Sequence, residues 1–126
     1  MIQLYHRRFK VERVVDGDTI VGAIDNGFYT AIVNYFRLYG LNAPELNSKD
    51  EKVRIAAQSA KSWLGSQLGH GEFVLRSFKN PADKYGRFLV EIWAILGYDD
   101  KGNVELAEKS INQLMIEAGH AVRYMP

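Results

Sequence analysis

The sequence predicts a β-rich α+β fold in which strands form a small barrel and a few short helices pack on it. Several runs rich in β-branched and aromatic residues are separated by turn residues, which is typical of short strands. Only two segments show the apolar spacing of a helix, and they do not alternate regularly with the strands. This pattern favours a barrel over a parallel sheet with crossover helices.

Composition sets limits on the class of protein. With 126 residues and 47% hydrophobic content, the chain is expected to form one soluble domain over residues 1–126. The net charge is only +1, so the protein as a whole has no strong positive field. A nucleic-acid-binding protein with this charge would depend on basic groups near its binding site. The chain has no cysteine, which excludes disulfides and thiolate metal sites.

The sequence also bears on location. No apolar run is long enough to span a membrane, and Met1–Arg8 lacks the apolar stretch of a secretory signal. We therefore expect a cytoplasmic protein without a membrane partner, and export of a processed form stays open.

Three strand-like segments occupy the first third of the chain, at residues 11–15, 19–24 and 29–41. Asp16–Asp18 supplies the first turn, and Asn26–Gly27 is typical of a tight hairpin. In the third segment Phe36 and Leu38 fall on one face, whereas Arg37 and Leu41 fall on the other. Arg37 is therefore expected to point away from the core.

A helix is predicted next. Ser48 and Glu51 have the spacing of a capping box, and Gly69 or Gly71 is placed to end the helix through a left-handed cap. The apolar residues between them recur at helical spacing: Val53, Ala56, Ala57, Ala60, Leu64 and Leu68.

Two further strands are predicted at residues 72–78 and 88–96, separated by a loop that opens at Asn80–Pro81. A polar turn follows at residues 97–103, and residues 104–109 fit either a short strand or the start of a helix.

A second capping box, Ser110 with Gln113, predicts a short helix that ends at Gly119.

Three short stretches carry the chemistry: Asp16–Thr19, Arg37–Glu45 and Asp83–Arg87. Two guanidiniums can clamp a phosphate, oxygen ligands can hold a hard cation, and a carboxylate can take a proton from water. Together these are the groups that phosphodiester hydrolysis needs. Taken singly, each has an ordinary explanation: Asp16 and Asp18 can stabilise a turn, and Glu45 can be a solvated loop residue.

The three stretches, in this order and spacing, resemble the staphylococcal nuclease-like (thermonuclease) family. The resemblance extends through Ser110–Leu114 and Gly119–Ala121, so it covers about residues 10 to 124. It implies a five-stranded OB-type barrel with two packed helices. It also implies a Ca²⁺-dependent nuclease, a hydrolase that cleaves DNA or RNA.

The resemblance implies a metal site in which Asp18, Asn42 and the backbone carbonyl of Ala43 hold Ca²⁺, with Asp16 in support. Only oxygen ligands are offered, so Mg²⁺ or Mn²⁺ would be the next candidates. Asn42 stands where active members usually carry a second aspartate. An amide oxygen brings no charge, and we therefore expect weaker metal binding.

The resemblance also implies the catalytic groups. Glu45 would be the general base that activates water, and Arg37 and Arg87 would clamp the phosphate and stabilise charge in the transition state. Lys84 and Tyr85 would contact neighbouring phosphate oxygens.

Tyr124 would lie against a base or sugar, although a role in C-terminal packing fits equally well. Single-stranded or frayed DNA or RNA is the expected substrate. Family members often carry a further C-terminal helix, and a compensating core or self-association would replace it here. A monomer is expected.

A second hypothesis is a catalytically weak or inactive module that binds nucleic acid or protein. Asn42 and the near-zero net charge favour it, whereas the presence of Asp18, Arg37, Glu45 and Arg87 favours catalysis.

Overall fold

The computed structural model describes residues 6–69, 71–82 and 87–124. The elements in this part of the chain are β1 (His6–Asp16), β2 (Thr19–Gly27), β3 (Thr30–Leu38), β4 (Leu41–Asn42), α1 (Glu51–Leu68), β5 (Phe73–Ala82), β6 (Phe88–Tyr98), β7 (Val104–Leu106), α2 (Ile111–Glu117) and β8 (Val122–Arg123).

Five long strands form a closed barrel in the order β3-β2-β1-β5-β6. The neighbours in this order pair antiparallel, and a parallel pairing of β3 with β6 closes the barrel. The extra strand β7 pairs with β6, and β4 pairs with β8 in a separate two-stranded sheet. The predicted five-stranded OB-type barrel with two helices is confirmed.

The core lies inside the barrel and under the helices. Its largest fully buried side chains come from the strands, from α1 and α2, and from the segment after β3: Phe36, Ile20, Leu38, Leu41, Leu64, Leu75, Ile92, Met115, Val74 and Val90. Phe36 and Leu38 face this core, as the alternation along β3 predicts. Among the described residues, no helix is long and apolar enough to cross a membrane. The expected cytoplasmic location stays a prediction.

Leu41 was predicted on the face opposite the core, and this prediction is wrong. Gly40 has a φ of +84° and turns the chain after β3, so the strand alternation does not continue to Leu41. Leu41 begins β4 and is fully buried. Only glycine adopts this conformation without steric strain.

The β2–β3 turn lies later than Asn26–Gly27, which was predicted to form it. Strand β2 continues through Gly27, which pairs with Thr30, and the two-residue loop is Phe28–Tyr29. Both loop residues have positive φ, at 55° and 61°. The β2–β3 pairing is irregular between Asp25 and Gly27, where the Asp25 carboxylate accepts the Gly27 N–H. The turn therefore lies two residues later than predicted.

Helix α1 forms as predicted, but its caps differ. The N-cap is Asp50, whose carboxylate accepts the Lys52 N–H, because the Ser48 hydroxyl is already bonded to the Asp50 N–H in the preceding turn. The predicted capping box of Ser48 with Glu51 is therefore wrong. Gly69 ends the helix with right-handed geometry, and Gly71 has the left-handed φ of +97°.

The buried stripe of α1 is narrower than its sequence pattern. It consists of Ala57, Ala60, Leu64 and Leu68. Ala56, which was predicted on this stripe, is exposed, and Val53 is only half-buried. The barrel contacts one side of α1, so the outermost apolar positions stay near solvent.

The later strands are longer than predicted. Strand β5 continues through Asn80–Pro81 to Ala82, where a loop was expected, because its backbone still pairs there with Phe88 across an irregularity. Residues 104–106, ambiguous in the sequence, form β7.

The predicted boundaries of helix α2 are confirmed. The Ser110 hydroxyl accepts the Gln113 N–H at 3.1 Å, and Gly119 follows with a φ of +81°. On its inner face Asn112 is 4% exposed. Its amide donates to the carbonyls of Tyr39 (2.9 Å) and Val90 (3.0 Å) and accepts the Ile92 N–H at 3.1 Å. The Asn112 side chain thus bonds to β6 directly after the last residue pair of β3 and β6, Leu38 with Val90.

Asn112→Ala is expected to lower the free energy of unfolding by about 2–4 kcal/mol. The Tyr39 carbonyl and the Ile92 N–H would lose this partner in a buried setting, at about 1–3 kcal/mol each. Urea denaturation measures the change. Asn103→Ala is the matched control, because Asn103 bonds Asp99 at an exposed turn and its loss should cost less than about 1 kcal/mol. Equal effects of the two substitutions would contradict this role of Asn112.

Candidate active site

The turn between β1 and β2 is pressed against the helices. A Cβ at Gly17 would lie 2.7 Å from the Ala43 Cβ and 2.9 Å from the Ala60 Cβ, so a larger residue would force these segments apart. This close approach explains the glycine between the two aspartates. It also holds Asp16 and Asp18 beside the segment that follows β3.

Asp18 is the most connected side chain of the site. One carboxylate oxygen, Oδ2, accepts the Ala43 N–H at 3.1 Å and lies 3.0 Å from Arg37 Nη1. The other, Oδ1, accepts the Thr19 hydroxyl at 3.2 Å. Burial acts to raise the pKa of Asp18, but the hydrogen bond to Asp16, the Arg37 charge and the Ala43 N–H outweigh it and lower the pKa.

Asp16 behaves in the opposite way. Burial, together with a hydrogen bond and charge repulsion from Asp18, raises the pKa of Asp16 from 3.8 to about 6. Asp16 Oδ1 also accepts the Asp18 N–H at 3.1 Å. The pair therefore holds a proton between two acids at mildly acidic pH, because two ionised carboxylates this close repel each other.

Arg37 points out of β3, as the alternation predicts, and its position is set by pairing with Thr19 of β2 and Leu89 of β6. Its side chain is only 14% exposed. Besides the Asp18 carboxylate, the guanidinium donates to the Leu41 carbonyl at 3.1 Å and to the Asn42 side-chain oxygen.

The two remaining predicted metal ligands, Asn42 and Ala43, each bond to one member of the Asp18–Arg37 pair. The Asn42 amide oxygen, expected to hold a cation, accepts a hydrogen bond from Arg37. Ala43 is joined to Asp18 through its N–H. Among the described residues, no group of three or more His, Cys, Asp or Glu side chains is arranged to hold a metal ion.

Glu45 lies at the rim of the same cleft and is exposed. Its carbonyl accepts the Ser48 N–H at 3.3 Å, which shapes the turn after Pro44. The Glu45 carboxylate makes no hydrogen bond or ion pair with the residues that the structure describes.

Arg87 approaches the site from the start of β6. Its Nη1 donates to the Thr19 hydroxyl at 3.0 Å, so Thr19 bridges Arg87 to the Asp18 carboxylate. Thr19 lies in the Asp16–Thr19 stretch that was predicted to carry the chemistry, but no individual role was predicted for it. Lys84 and Tyr85 lie outside the described residues.

Tyr124 reaches the cleft from the C-terminal side. Its N–H donates to the Gly40 carbonyl at 2.9 Å, next to the pairing of β8 with β4, and its side chain is 45% exposed. Tyr35 and Tyr39 line the cleft as well. Tyr39 belongs to the Arg37–Glu45 stretch without a predicted role of its own, and Tyr35 lies outside the three stretches.

A single open cleft of about 1280 Å³ is lined by most of these residues, among them Asp16, Asp18, Arg37, Asn42, Glu45, Arg87 and Tyr124. Acidic side chains, guanidiniums and aromatic rings from four separated parts of the chain share it. This arrangement can bind a phosphate, hold a hard cation near it and accept a proton from water.

The closed five-stranded barrel, with an open cleft that gathers acids and guanidiniums from the ends of several strands, defines an OB-type barrel protein. Comparison with known proteins narrows this class. The family model for staphylococcal nuclease homologues matches residues 35–126, and the chain belongs to this family.

Thermonuclease from Staphylococcus intermedius is 34% identical to the chain over 103 residues. The alignment covers 82% of this chain and 56% of the thermonuclease, so the chain spans about half the length of this relative.

Asp16→Asn is expected to stabilise the protein by about 1 kcal/mol at neutral pH in EDTA. An acid whose pKa is raised on folding binds its proton more tightly in the folded state, so stability falls as pH rises from 3.8 through about 6. Partial solvation of Asp16 screens the charge and keeps the effect small. Asparagine keeps the acceptor for the Asp18 N–H and removes the charge.

Urea denaturation of both proteins across this pH range measures the effect. The advantage of Asp16→Asn should vanish below 3.8, where the wild-type carboxyl is protonated in both states. A difference that does not vary with pH would contradict the assignment.

Proposed function

We propose that the chain is a metal-dependent nuclease that hydrolyses phosphodiester bonds of DNA, RNA or both, with single or frayed strands preferred. The observation that carries the proposal is the convergence of Asp18, Arg37, Glu45 and Arg87 on one cleft. Membership of the staphylococcal nuclease homologue family and the similarity to a thermonuclease support it. We propose that residues 1–126 act as one nuclease-like domain and as a monomer.

Glu45 is the proposed general base. Its exposed carboxylate, without a hydrogen bond or ion pair to any described residue, is available to a water molecule at the cleft rim. The water gives its proton to Glu45 and its oxygen attacks phosphorus in line. The bond from phosphorus to the 5′ oxygen breaks, the 5′ oxygen takes up a proton from solvent, and a 3′-phosphate end remains.

Arg37 and Arg87 are the proposed phosphate clamp. Arg37 is held in place by oxygen partners on Asp18, Leu41 and Asn42, and a phosphate oxygen would replace one of them. Arg87 approaches through Thr19 from the opposite side of the Asp18 carboxylate. A guanidinium on β3 and one directly before β6 can thus face the same phosphate and stabilise the charge that develops in the transition state.

The donor set beside the clamp fits a hard divalent cation, because every candidate ligand is an oxygen. Burial first, and then the hydrogen bond and the charge of Asp18, raise the pKa of Asp16, and a cation bound nearby would offset the charge repulsion between the two acids. The proposed ligands are Asp18, Asn42 and the Ala43 carbonyl, and Ca²⁺ is the first choice before Mg²⁺ or Mn²⁺. When bound, the ion would polarise the phosphate and offset its charge.

Further substrate contacts are proposed for Lys84, Tyr85 and Tyr124. Tyr124 lies in the cleft with its ring partly exposed, which suits a contact with a base or sugar. Lys84 and Tyr85 are proposed to contact neighbouring phosphate oxygens, on the basis of their place in the motif before Arg87.

The alternative function is a catalytically weak or inactive module that binds nucleic acid or protein. The specific observation in its favour is that the Asn42 oxygen already accepts a hydrogen bond from Arg37, which leaves fewer oxygen ligands for a cation.

Glu45→Gln is expected to lower the cleavage rate of a labelled single-stranded DNA by about 10²–10⁴-fold, because the amide cannot accept the proton from water. Cleavage is measured with Ca²⁺, Mg²⁺ or Mn²⁺ against EDTA. Binding of the same DNA in EDTA should change little. Glu105→Gln, an exposed position on β7 outside the cleft, is the matched control and should cleave as the wild type does.

The outcomes separate the two functions. Metal-dependent cleavage that is lost only in Glu45→Gln supports the nuclease and the role of Glu45. DNA binding by folded wild-type protein without cleavage at any metal concentration would instead establish the binding module.

Asn42→Asp is expected to lower the Ca²⁺ concentration needed for half-saturation by about tenfold or more. A second carboxylate at 4 Å from a unit charge contributes about 4 kcal/mol at an effective dielectric of 20, and desolvation and the Arg37 contact offset part of this. The measurement is the rise in melting temperature with added Ca²⁺, reversed by EDTA. Asn47→Asp adds the same charge at an exposed position in the cleft lining and controls for general electrostatics. Equal shifts in both variants would count against Asn42 as a ligand.

A further inference from the structure

A stripe of side chains leads away from the cleft along the outer face of β3. Arg37, Tyr35 and Val33 occur at every second position of the strand and therefore share one face, opposite the buried Phe36. Tyr35 is 44% exposed and Val33 is 55% exposed. Tyr35 also lines the cleft that contains Arg37. We call these three residues the β3 stripe.

Strand β1 places two cations beside this stripe. Val21 of β2 pairs with Arg13 on one side and with Tyr35 on the other, and Ala23 links Lys10 to Val33 in the same way. Arg13 Nη2 donates to the Tyr35 hydroxyl at 2.9 Å, and its guanidinium carbon lies 5.6 Å from the ring centroid.

We propose that the β3 stripe is a subsite for a single-stranded nucleic acid that leaves the cleft. One base stacks on the Tyr35 ring, and Arg13 and Lys10 contact the phosphates that follow. The inference rests on the proposed function, since it extends the substrate beyond the phosphate held by Arg37. Base–aromatic stacking beside a cationic track is how proteins bind single strands without sequence preference.

Two observations and one general property of OB-type barrels favour this occupant. The stripe is continuous with the cleft, and Tyr35 lies two residues from Arg37, about 6.7 Å along the strand. Strands 2 and 3 form the face on which OB-type barrels bind oligonucleotides. Arg13 and Lys10 are both exposed. The adjacent acid Glu12 is the residue that the β1–β2 pairing skips, so it has no partner on β2.

A second tyrosine–arginine pair provides an internal comparison. Tyr98 is 46% exposed, accepts a hydrogen bond from Arg8 at 2.8 Å, and lies with its ring centroid 5.4 Å from the Arg8 guanidinium. There, however, Glu72 lies 3.9 Å from Arg8 and accepts the Tyr98 hydroxyl. Arg13 has no ion pair with any residue that the structure describes. The positive charge at Tyr35 is thus available to a phosphate.

The test is fluorescence anisotropy with a labelled oligothymidylate of about 12 nucleotides, within the site sizes of OB folds. Measurement in EDTA keeps binding separate from cleavage. Tyr35→Ala should weaken binding by about five- to 100-fold, the loss expected for one stacked base. Tyr35→Phe should retain most of the affinity, and Tyr98→Ala, the matched control, should bind as the wild type does.

Arg13→Gln provides a second readout that a purely structural role would not change. Loss of one phosphate contact should reduce the slope of log K against log salt concentration by about 0.7 for a single strand. Arg8→Gln is its control and should leave the slope unchanged. This readout also decides the matter if circular dichroism finds Tyr35→Ala unfolded.

Unchanged affinity in folded Tyr35→Ala, or an unchanged salt slope in Arg13→Gln, would overturn the subsite. If the wild type still cleaves DNA with metal in that case, the proposed nuclease function stands without it. If the wild type neither binds nor cleaves the single strand, both proposals fail.

Discussion

The parallel pairing of β3 with β6, extended by the buried amide of Asn112, holds the molecule and its cleft together. The pairing closes the barrel and fixes Arg37 opposite Leu89. Where β3 turns away, Asn112 bonds the carbonyls of Tyr39 and Val90 and the N–H of Ile92. Unpaired polar groups at this buried edge would be costly, so α2 is required for the barrel wall as well as for the core.

The cleft follows from this closure. Gly17 lets the first turn approach Ala43 and Ala60, which brings Asp18 within 3.0 Å of Arg37. The two aspartates of that turn then differ in their protonation: the pKa of Asp16 is raised to about 6, whereas the pKa of Asp18 is lowered. Although the net charge of the protein is only +1, interacting charged groups with shifted pKa values lie together in the cleft.

Whether a surface arginine is a candidate for nucleic-acid contact depends on whether a neighbouring carboxylate already neutralises its charge. Arg8 and Arg13 lie beside tyrosines with similar geometry, yet among the described residues Arg8 forms an ion pair, with Glu72, and Arg13 forms none. Composition cannot reveal this difference, because both arginines contribute equally to the net charge. The distribution of partners in space decides which cation remains available to a ligand.

Sequence alone determined the elements whose signals are local: the face of β3 that carries Arg37, the helix capped by Ser110, and the motifs that resemble the nuclease family. It was wrong about Leu41, Asn26–Gly27 and the cap of α1, because a glycine turn, an irregularity in pairing and a competing serine overrode the local pattern. Only the tertiary structure gave Asn112 its role and placed Tyr35 beside Arg13. Such contacts join residues far apart in the chain, and their energies depend on burial and distance, which no local pattern of residues contains.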